Sequence, residues 1–507
     1  MEFGARRPSA LIESALIGAA LGALMLAIVG CSTISGDRGG PKMGLIAASP
    51  DGNGFTELDS GRPFVPFGTN YYDPNTGWPP KVWQRFDPNR VSEHFAVMKN
   101  LGVNCARVFL AASAFQPDVN SVDEESLRKL DTLIRIARQS GIRLILTGPD
   151  HWEGRPDYWE PDRFAGEPAL RALETFWETV AARYRGEPAI FAWDLLNEPQ
   201  MPWFVETWEP KWNAWLEAKY GDRAGLKAAW TDELKEAESW GRIAVADDEA
   251  DAGNPRLLDW QRFREHLADE WVRRQVETIR RVDPTHPITV GYIQWSYPII
   301  RPGDPSLYAA FNPHRQAQWL DFISVHFYPL MGRPFGSKRN WDNNLAYLQS
   351  ILAYCHAGKP VVLSEFGWYG GGQPPGRPFL SEDEQSRWLT AEVEASRRVA
   401  DGWLSWPFAD TPDSDDMSRF GGLMKWDMVH KLWAWRFRTY AHNLDILSQP
   451  TPELPTFDFA PSLTTPIESL MAMHEKYAEQ VQAAIEQAGP LPDLKPVPLP
   501  NAEPAAD

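Results

Sequence analysis

Between residues 56 and 446 the chain alternates between two hydrophobic patterns. Short runs that are apolar on both faces, Phe64–Tyr71, Asn104–Leu110, Arg143–Thr147, Ile190–Leu196, Ile288–Ile293, Phe322–Tyr328, Val361–Glu365 and Trp403–Phe408, read as buried strands. Between them, apolar positions recur at helical spacing over Val91–Leu101, Glu124–Ser140, Pro168–Tyr184, Leu257–Val282, Trp341–His356, Glu382–Ala400 and Val429–Asn443. Ser381 with Glu384 makes a capping box, and Gly102, Gly141 and Gly402 stand where left-handed helix caps are expected. Strands apolar on both faces and alternating with helices predict a parallel sheet. Eight of them predict a closed (β/α)8 TIM barrel of class α/β.

The pattern has irregular stretches. Trp295–Trp319, between the fifth and sixth strands, holds several prolines and room for one short helical turn. After Pro199 an insertion, residues 199–254, carries Trp203, Trp208, Trp212, Trp215, Trp230 and Trp240. On a barrel it would rise from the C-terminal face, so it reads as a lid or cleft wall. The alternative is a helical excursion whose tryptophans pack on each other, the reading that suits Trp215 and Trp230. Beyond 446 the expectation is a proline-rich segment, a lone helix over Ile467–Gln487, and a disordered Pro/Ala tail from Gly489 to Asp507.

The first residues belong to a different class. Arg6 and Arg7 precede an uncharged apolar run from Ala15 to Gly30 that ends in Ile28-Val29-Gly30-Cys31. The run is shorter than the roughly 20 residues a helix needs to cross a membrane. Residues 1–30 therefore read as a secretory signal, with an uncleaved anchor helix as the alternative. Ile-Val-Gly-Cys resembles the bacterial lipoprotein box, which implies lipidation at Cys31, attachment to the cell envelope, and a Gly/Ser-rich tether over 31–55. Ser32 after that cysteine resembles lipoproteins carried to an outer membrane. Contact with the membrane is expected through the lipid alone. Cys105 and Cys355 remain, too few for a disulfide framework.

Composition changes the picture in two ways. A net charge of −18 disfavours nucleic acid as a partner, because phosphate binding needs a basic face. The 24 tryptophans suit both a large core and a cleft in which indoles stack on sugar rings.

The candidate chemistry stands at the strand ends. Trp193-Asp194-Leu195-Leu196-Asn197-Glu198-Pro199 and Val361-Val362-Leu363-Ser364-Glu365-Phe366-Gly367 are each an apolar run ending in a glutamate. Taken singly, either glutamate is as readily a solvated or capping residue. Together, at one mouth of a barrel, they are the paired carboxyls of a glycosidase. Arg107, His151 with Trp152, Asn197, His326, Tyr328 and Trp406 converge on the same face.

These residues resemble clan A retaining glycoside hydrolases, most of all family 5, the cellulase and β-mannanase family. The likeness rests on Asn104-Cys105-Ala106-Arg107, Asn197-Glu198-Pro199, Val325-His326-Phe327-Tyr328, Ser364-Glu365-Phe366-Gly367 and Trp406, in the family's order. It implies Glu198 as general acid/base and Glu365 as nucleophile, with no metal and no organic cofactor. Arg107 and the Tyr328 hydroxyl would hold Glu365 ionised, Asn197 would bind the sugar 2-hydroxyl, His326 would orient Glu198, and Trp406 would floor the reacting subsite. His151 and Trp152 are set back from the third strand by Thr147-Gly148-Pro149-Asp150, so their contact with substrate is an open expectation.

The implied substrate is a β-1,4-linked glucan or mannan. Within the insertion, Trp215-Leu216-Glu217-Ala218-Lys219-Tyr220-Gly221 resembles clan A β-galactosidases of family 42, which keeps an exo-acting β-glycosidase open. A surface lipoprotein that captures glycans without cleaving them is the alternative outside enzymes. Asp410, Asp413, Asp415 and Asp416 form an acidic cluster whose spacing does not match an EF-hand, and it reads as a solvated loop.

Overall fold

The computed structural model describes residues 42–150, 154–247, 253–297, 307–330, 333–447, 451–457 and 467–499. The expected signal, Cys31, His151 and Trp152 lie outside them. Eight parallel strands close into a barrel: β1 (Phe67–Tyr71), β2 (Cys105–Ala111), β3 (Arg143–Asp150), β4 (Ile190–Asn197), β5 (Ile288–Tyr292), β6 (Ile323–Phe327), β7 (Val361–Phe366) and β8 (Gly402–Ser405). The TIM-barrel expectation holds. Each strand pairs with its chain neighbours, and β8 closes on β1 through Trp403 opposite Phe67.

Helices α1 (Pro88–Leu101), α2 (Glu124–Ser140), α3 (Glu167–Arg183), α4 (Pro255–Val282), α5 (Lys338–Cys355), α6 (Glu382–Ser396) and α7 (Leu432–Ala441) cover the outside. The connection from β5 to β6 contributes one turn, Pro313–Gln316. Asp87 caps α1 by accepting from the Asn89 and Arg90 amides, and Gly102 ends it at φ 86°. The Ser381–Glu384 capping box is present at α6. Gly402 differs from expectation: α6 ends early, and this glycine opens β8, where a Cβ would fall 2.4 Å from Pro66. Close approach of two backbones requires it there.

Two terminal expectations are corrected. Residues 31–55 are not all tether, because Ile46–Ala48, Phe55–Glu57 and Pro63–Phe64 form a small antiparallel sheet. Its Ile46 and Phe55 are buried against Cys105, Ile145, Phe191, Phe322, Val362 and Leu404 inside the barrel's lower end. The Phe55 ring stands edge-on to Phe191 and Phe322, at 5.0 and 5.3 Å. Arg143, at the start of β3, ties the sheet down by donating to the Gly44 carbonyl and the Glu57 carboxylate. Gly/Ser content concealed two buried apolar anchors.

The tail from Gly489 is likewise ordered as far as Leu499. Arg397 donates to the Pro492 carbonyl, Arg438 to that of Pro498, and Leu499 is buried. The preceding helix, α8 (Ile467–Gln487), lies where the sequence places it and buries Tyr477 and Val481. The tail is held both through its carbonyls and by Leu499, which joins the core.

Candidate active site

The barrel interior changes character along its axis. Above the apolar lower layer stand Asn70, Arg107, Thr147, Asp194, Thr289, Ser324 and Ser364, all buried. Two irregularities then re-aim the strand ends. In β7 the register shifts between Leu363 and Glu365 against β6, and between Leu363 and Phe366 against β8. A bulge of this kind turns a side chain that strict alternation would send outward. Val362 and Ser364 already face the barrel interior, so the shift brings Glu365 to the same side. In β4 the register shifts between Asp194 and Asn197, and Glu198 follows in the left-handed region at φ 49°. That conformation costs a non-glycine residue about 1–3 kcal/mol. It is held by the Glu198 amide donating to the Gly291 carbonyl at 2.8 Å.

Glu198, His326 and Glu365 meet there, with one donor atom from each within 4.8 Å of the others. Arg107, wholly buried, donates from Nη1 to Glu365 Oε1 at 2.6 Å and from Nε to Asp194 Oδ2 at 2.9 Å. Nη2 donates to Asn197 Oδ1 at 2.8 Å, and Nη1 also reaches Asn70 Oδ1 at 3.2 Å. A buried guanidinium is tolerated only when its donors are satisfied, and Arg107 has four acceptors. The Tyr328 hydroxyl donates to Glu365 Oε2 at 2.8 Å. His326 Nδ1 lies 2.9 Å from Glu198 Oε1 and 3.4 Å from Glu365 Oε1. Gly291 makes room for this: a Cβ would meet Arg107 at 2.7 Å and His326 at 3.2 Å.

The electrostatics follow from burial and one cation. Burial pushes the Glu198 carboxyl up to about 7, opposed only by the charge of Arg107. Burial raises Glu365 too, opposed by His326, Arg107 and the Tyr328 hydroxyl. His326 is itself pushed down to about 4 by burial, so it is neutral at neutral pH, and the cation that remains beside Glu365 is Arg107. Both carboxyls therefore rise, with the ion pair and the tyrosine on Glu365 alone. Tyr328 is raised well above its ordinary value by burial first and by Glu365 second, and it stays a donor.

Several supporting residues escaped the sequence reading. Asp194 accepts from Arg107, from Thr147 Oγ1 at 2.7 Å and from the Gly291 amide at 2.7 Å. Asn70 joins Arg107 to β7 by donating to the Ser364 carbonyl at 2.8 Å. Gln294 clamps the Tyr328 backbone, accepting from its amide and donating to its carbonyl. An aspartate inside the apolar run Trp193–Leu196 was the available signal, since an acid buried in a strand needs a partner.

Trp406, one residue past β8, donates to Ser418 Oγ and packs among Tyr72, Trp78 and Phe109. It is 8% exposed, a wall with little open face. In the insertion, helices Glu209–Tyr220 and Arg223–Trp230 bury Trp208, Trp212 and Trp230 completely. Trp215 stacks on Trp212, and Trp212 packs on Trp260 of α4. These rings are a local core, as expected for Trp215 and Trp230, and the same now applies to Trp208 and Trp212.

The acidic cluster after β8 is not solvated throughout. Asp410 is buried and accepts from Lys431 Nζ and the Gly422 amide, while Asp416 caps the turn Met417–Phe420. The spacing of Glu198, His326 and Glu365 would admit a cation. Their facing atoms are already engaged by Arg107 and by each other, which suits a carboxyl pair better than a ligand set.

Comparison with known proteins adds the family. The model for cellulase (glycosyl hydrolase family 5) matches residues 61–220, and the family 42 beta-galactosidase model matches 166–367. Mannan endo-1,4-beta-mannosidase 8 of Oryza sativa subsp. japonica is 23% identical over 350 residues, covering 61% of this chain and 76% of the relative. A GH5_18 protein from Streptomyces cattleya, solved with GlcNAc, superposes with a TM-score of 0.58 at 16% identity, covering 83% of this chain and 92% of that one. A GH42 beta-galactosidase from G. stearothermophilus gives 0.64 at 17% identity, covering 82% and 63%. The structural likenesses speak for the barrel alone. With the two family models overlapping on β4 and its glutamate, the comparisons support a clan A glycoside hydrolase, like family 5 through its first four strands.

Proposed function

We propose that the chain hydrolyses a β-1,4-linked mannan or glucan with retention of anomeric configuration, Glu365 acting as nucleophile and Glu198 as general acid/base. The observation that carries this reading is the meeting of the two carboxyls, a donor oxygen of each within 4.8 Å. Retaining enzymes keep their carboxyls about 5–5.5 Å apart so that one attacks the anomeric carbon directly, whereas inverting enzymes leave space for a water.

Glu365 has the equipment of a nucleophile. Arg107 and Tyr328 fix both its oxygens and aim it. Glu198, raised to about 7, keeps a substantial protonated fraction at neutral pH and gives that proton to the leaving oxygen. Once Glu365 is glycosylated and the leaving group has taken the proton, Glu198 is left as a carboxylate and takes the proton from the incoming water. Asn197, its Oδ1 engaged by Arg107, keeps its amide NH2 for the sugar 2-hydroxyl. The mannosidase relatives support a mannan within the β-1,4 class.

The family 42 match across the insertion favours a second reading, an exo-acting β-glycosidase. The test is a panel of β-mannan, β-glucan, xylan and aryl β-glycosides, with product sizes read over time. Mixed oligosaccharides early in digestion support endo action. Monosaccharide alone from the outset selects the exo reading, and product of inverted configuration overturns both. We place this activity at the cell envelope, through the lipoprotein box at Cys31.

A further inference from the structure

Beside the catalytic pair lies a second concavity of about 670 Å³, a size typical of ligand pockets. Arg155, Glu160, Arg163, Gln200, Trp203 and Phe204 line it. Gln200 is two residues beyond Glu198, so their Cα atoms are at most about 7.6 Å apart. The wall of this space therefore begins two residues beyond the proposed acid/base glutamate.

The lining is unusual in its charge. The protein carries −18 overall, yet among the described lining residues two arginines stand against one glutamate. Arg163 is the telling side chain. Arg107, Arg143 and Arg264 each donate to carboxylates, carbonyls or side-chain amides. Arg163 has no such acceptor among the described residues, and its Nη1 is buried without a partner. Its guanidinium lies over the Phe164 ring, 4.5 Å from the centroid. Burial and the neighbouring Arg155 push it down to about 10, and Glu160 and Asp150 only partly offset them. A half-desolvated cation without an acceptor among the described residues is a costly arrangement unless a ligand supplies one.

Trp203 and Phe204 supply the other half of a sugar site. Both are partly exposed, and Arg264 lies over the Trp203 ring, 5.2 Å from its centroid. Aromatic surface in the same concavity as an unpaired guanidinium matches a pyranose that bears a carboxylate: the ring meets the aromatic surface and the planar anion meets the fork.

We propose that this concavity is a subsite for an acidic sugar, a uronic acid unit of the glycan, whose carboxylate is bound by Arg163 with Arg155 in support. The proposal rests on the reading of the neighbouring site as a glycosidase, and it adds to that β-1,4-linked backbone a preference for glycans that also bear carboxylated units.

The test compares an oligosaccharide carrying a glucuronic acid with its carboxyl-reduced counterpart, which differs only in charge. Calorimetric titration of the full chain at low salt should show the acidic form bound about tenfold tighter, a margin that shrinks as salt rises. Arg163→Gln should remove the margin, and Arg155→Gln, at an exposed position that does not threaten folding, should reduce it. Hydrolysis of a short aryl β-glycoside, which fills only the reacting subsite, should keep its KM and kcat in both variants. Equal binding of the acidic and reduced forms by the native protein would overturn the proposal, as would a margin that survives both substitutions. Failure to cleave any β-glycoside would instead overturn the hydrolase reading and leave the binding comparison standing.

Discussion

The lower and upper ends of this barrel are made by the same eight strands and solve opposite problems. At the lower end Phe191 and Phe322 stack at 5.4 Å, Phe55 closes on both, and no side chain of that cluster carries a charge. A few residues further along each strand, Arg107, Asp194 and Glu365 are buried in one ion-paired group, with Glu198 at its edge. The apolar end gains stability from burial with little geometric demand. The polar end costs stability, through desolvated charge and a glutamate at φ 49°, and obtains fixed geometry in return. Substitutions at the two ends should therefore fail in different ways.

The largest effect expected is on turnover at the upper end. Glu365→Ala should lower kcat by at least about a thousandfold while the thermal midpoint stays near native, and azide should restore part of the rate. Activity that survives this change would remove Glu365 from the chemistry. Glu198→Ala should cost roughly 10²- to 10⁴-fold on natural linkages and far less on activated aryl glycosides, whose leaving groups depart without a proton. Equal losses on both substrate classes would contradict the acid role.

The lower end should answer in the other currency. Phe191→Ala should destabilise the fold by about 3–5 kcal/mol in denaturant titration, with KM and kcat of the surviving native protein unchanged. A loss of activity without loss of stability would erase the distinction between the two ends.

The smallest effect sharpens the comparison through pH. Glu198 is raised to about 7 in the folded chain, against about 4.5 when exposed. Its contribution to stability is therefore fully present below pH 4.5 and is lost as pH rises through 7. Glu198→Gln, neutral throughout, should stabilise the fold by of order 2 kcal/mol at pH 8 and by much less at pH 4.5. A pH-independent difference would show that Glu198 is not held in its protonated form.

The same contrast explains what was legible in the sequence. Alternating patterns and caps place all eight strands and seven surrounding helices, because burial on both faces leaves a plain apolar signature. Glu198 and Glu365 are visible because they interrupt such runs. The bulges that aim them are not, since a register shift changes pairing and leaves composition untouched. Asp194 does interrupt an apolar run, but its role as a partner shows only once Arg107 is set beside it. The sheet over residues 46–64 and the tail to Leu499 were hidden because a few anchors, Ile46, Phe55 and three arginines reaching carbonyls, hold segments of otherwise flexible composition.

The central claim is that Glu365 attacks the anomeric carbon while Glu198 moves the proton. Incubation with a 2-deoxy-2-fluoro β-glycoside bearing an activated leaving group, followed by proteolysis and mass spectrometry, reads it directly. The account predicts one glycosylated peptide, Val361–Gly367 with its flanks, modified on Glu365. A label on Glu198, or no covalent adduct together with product of inverted configuration, would contradict it.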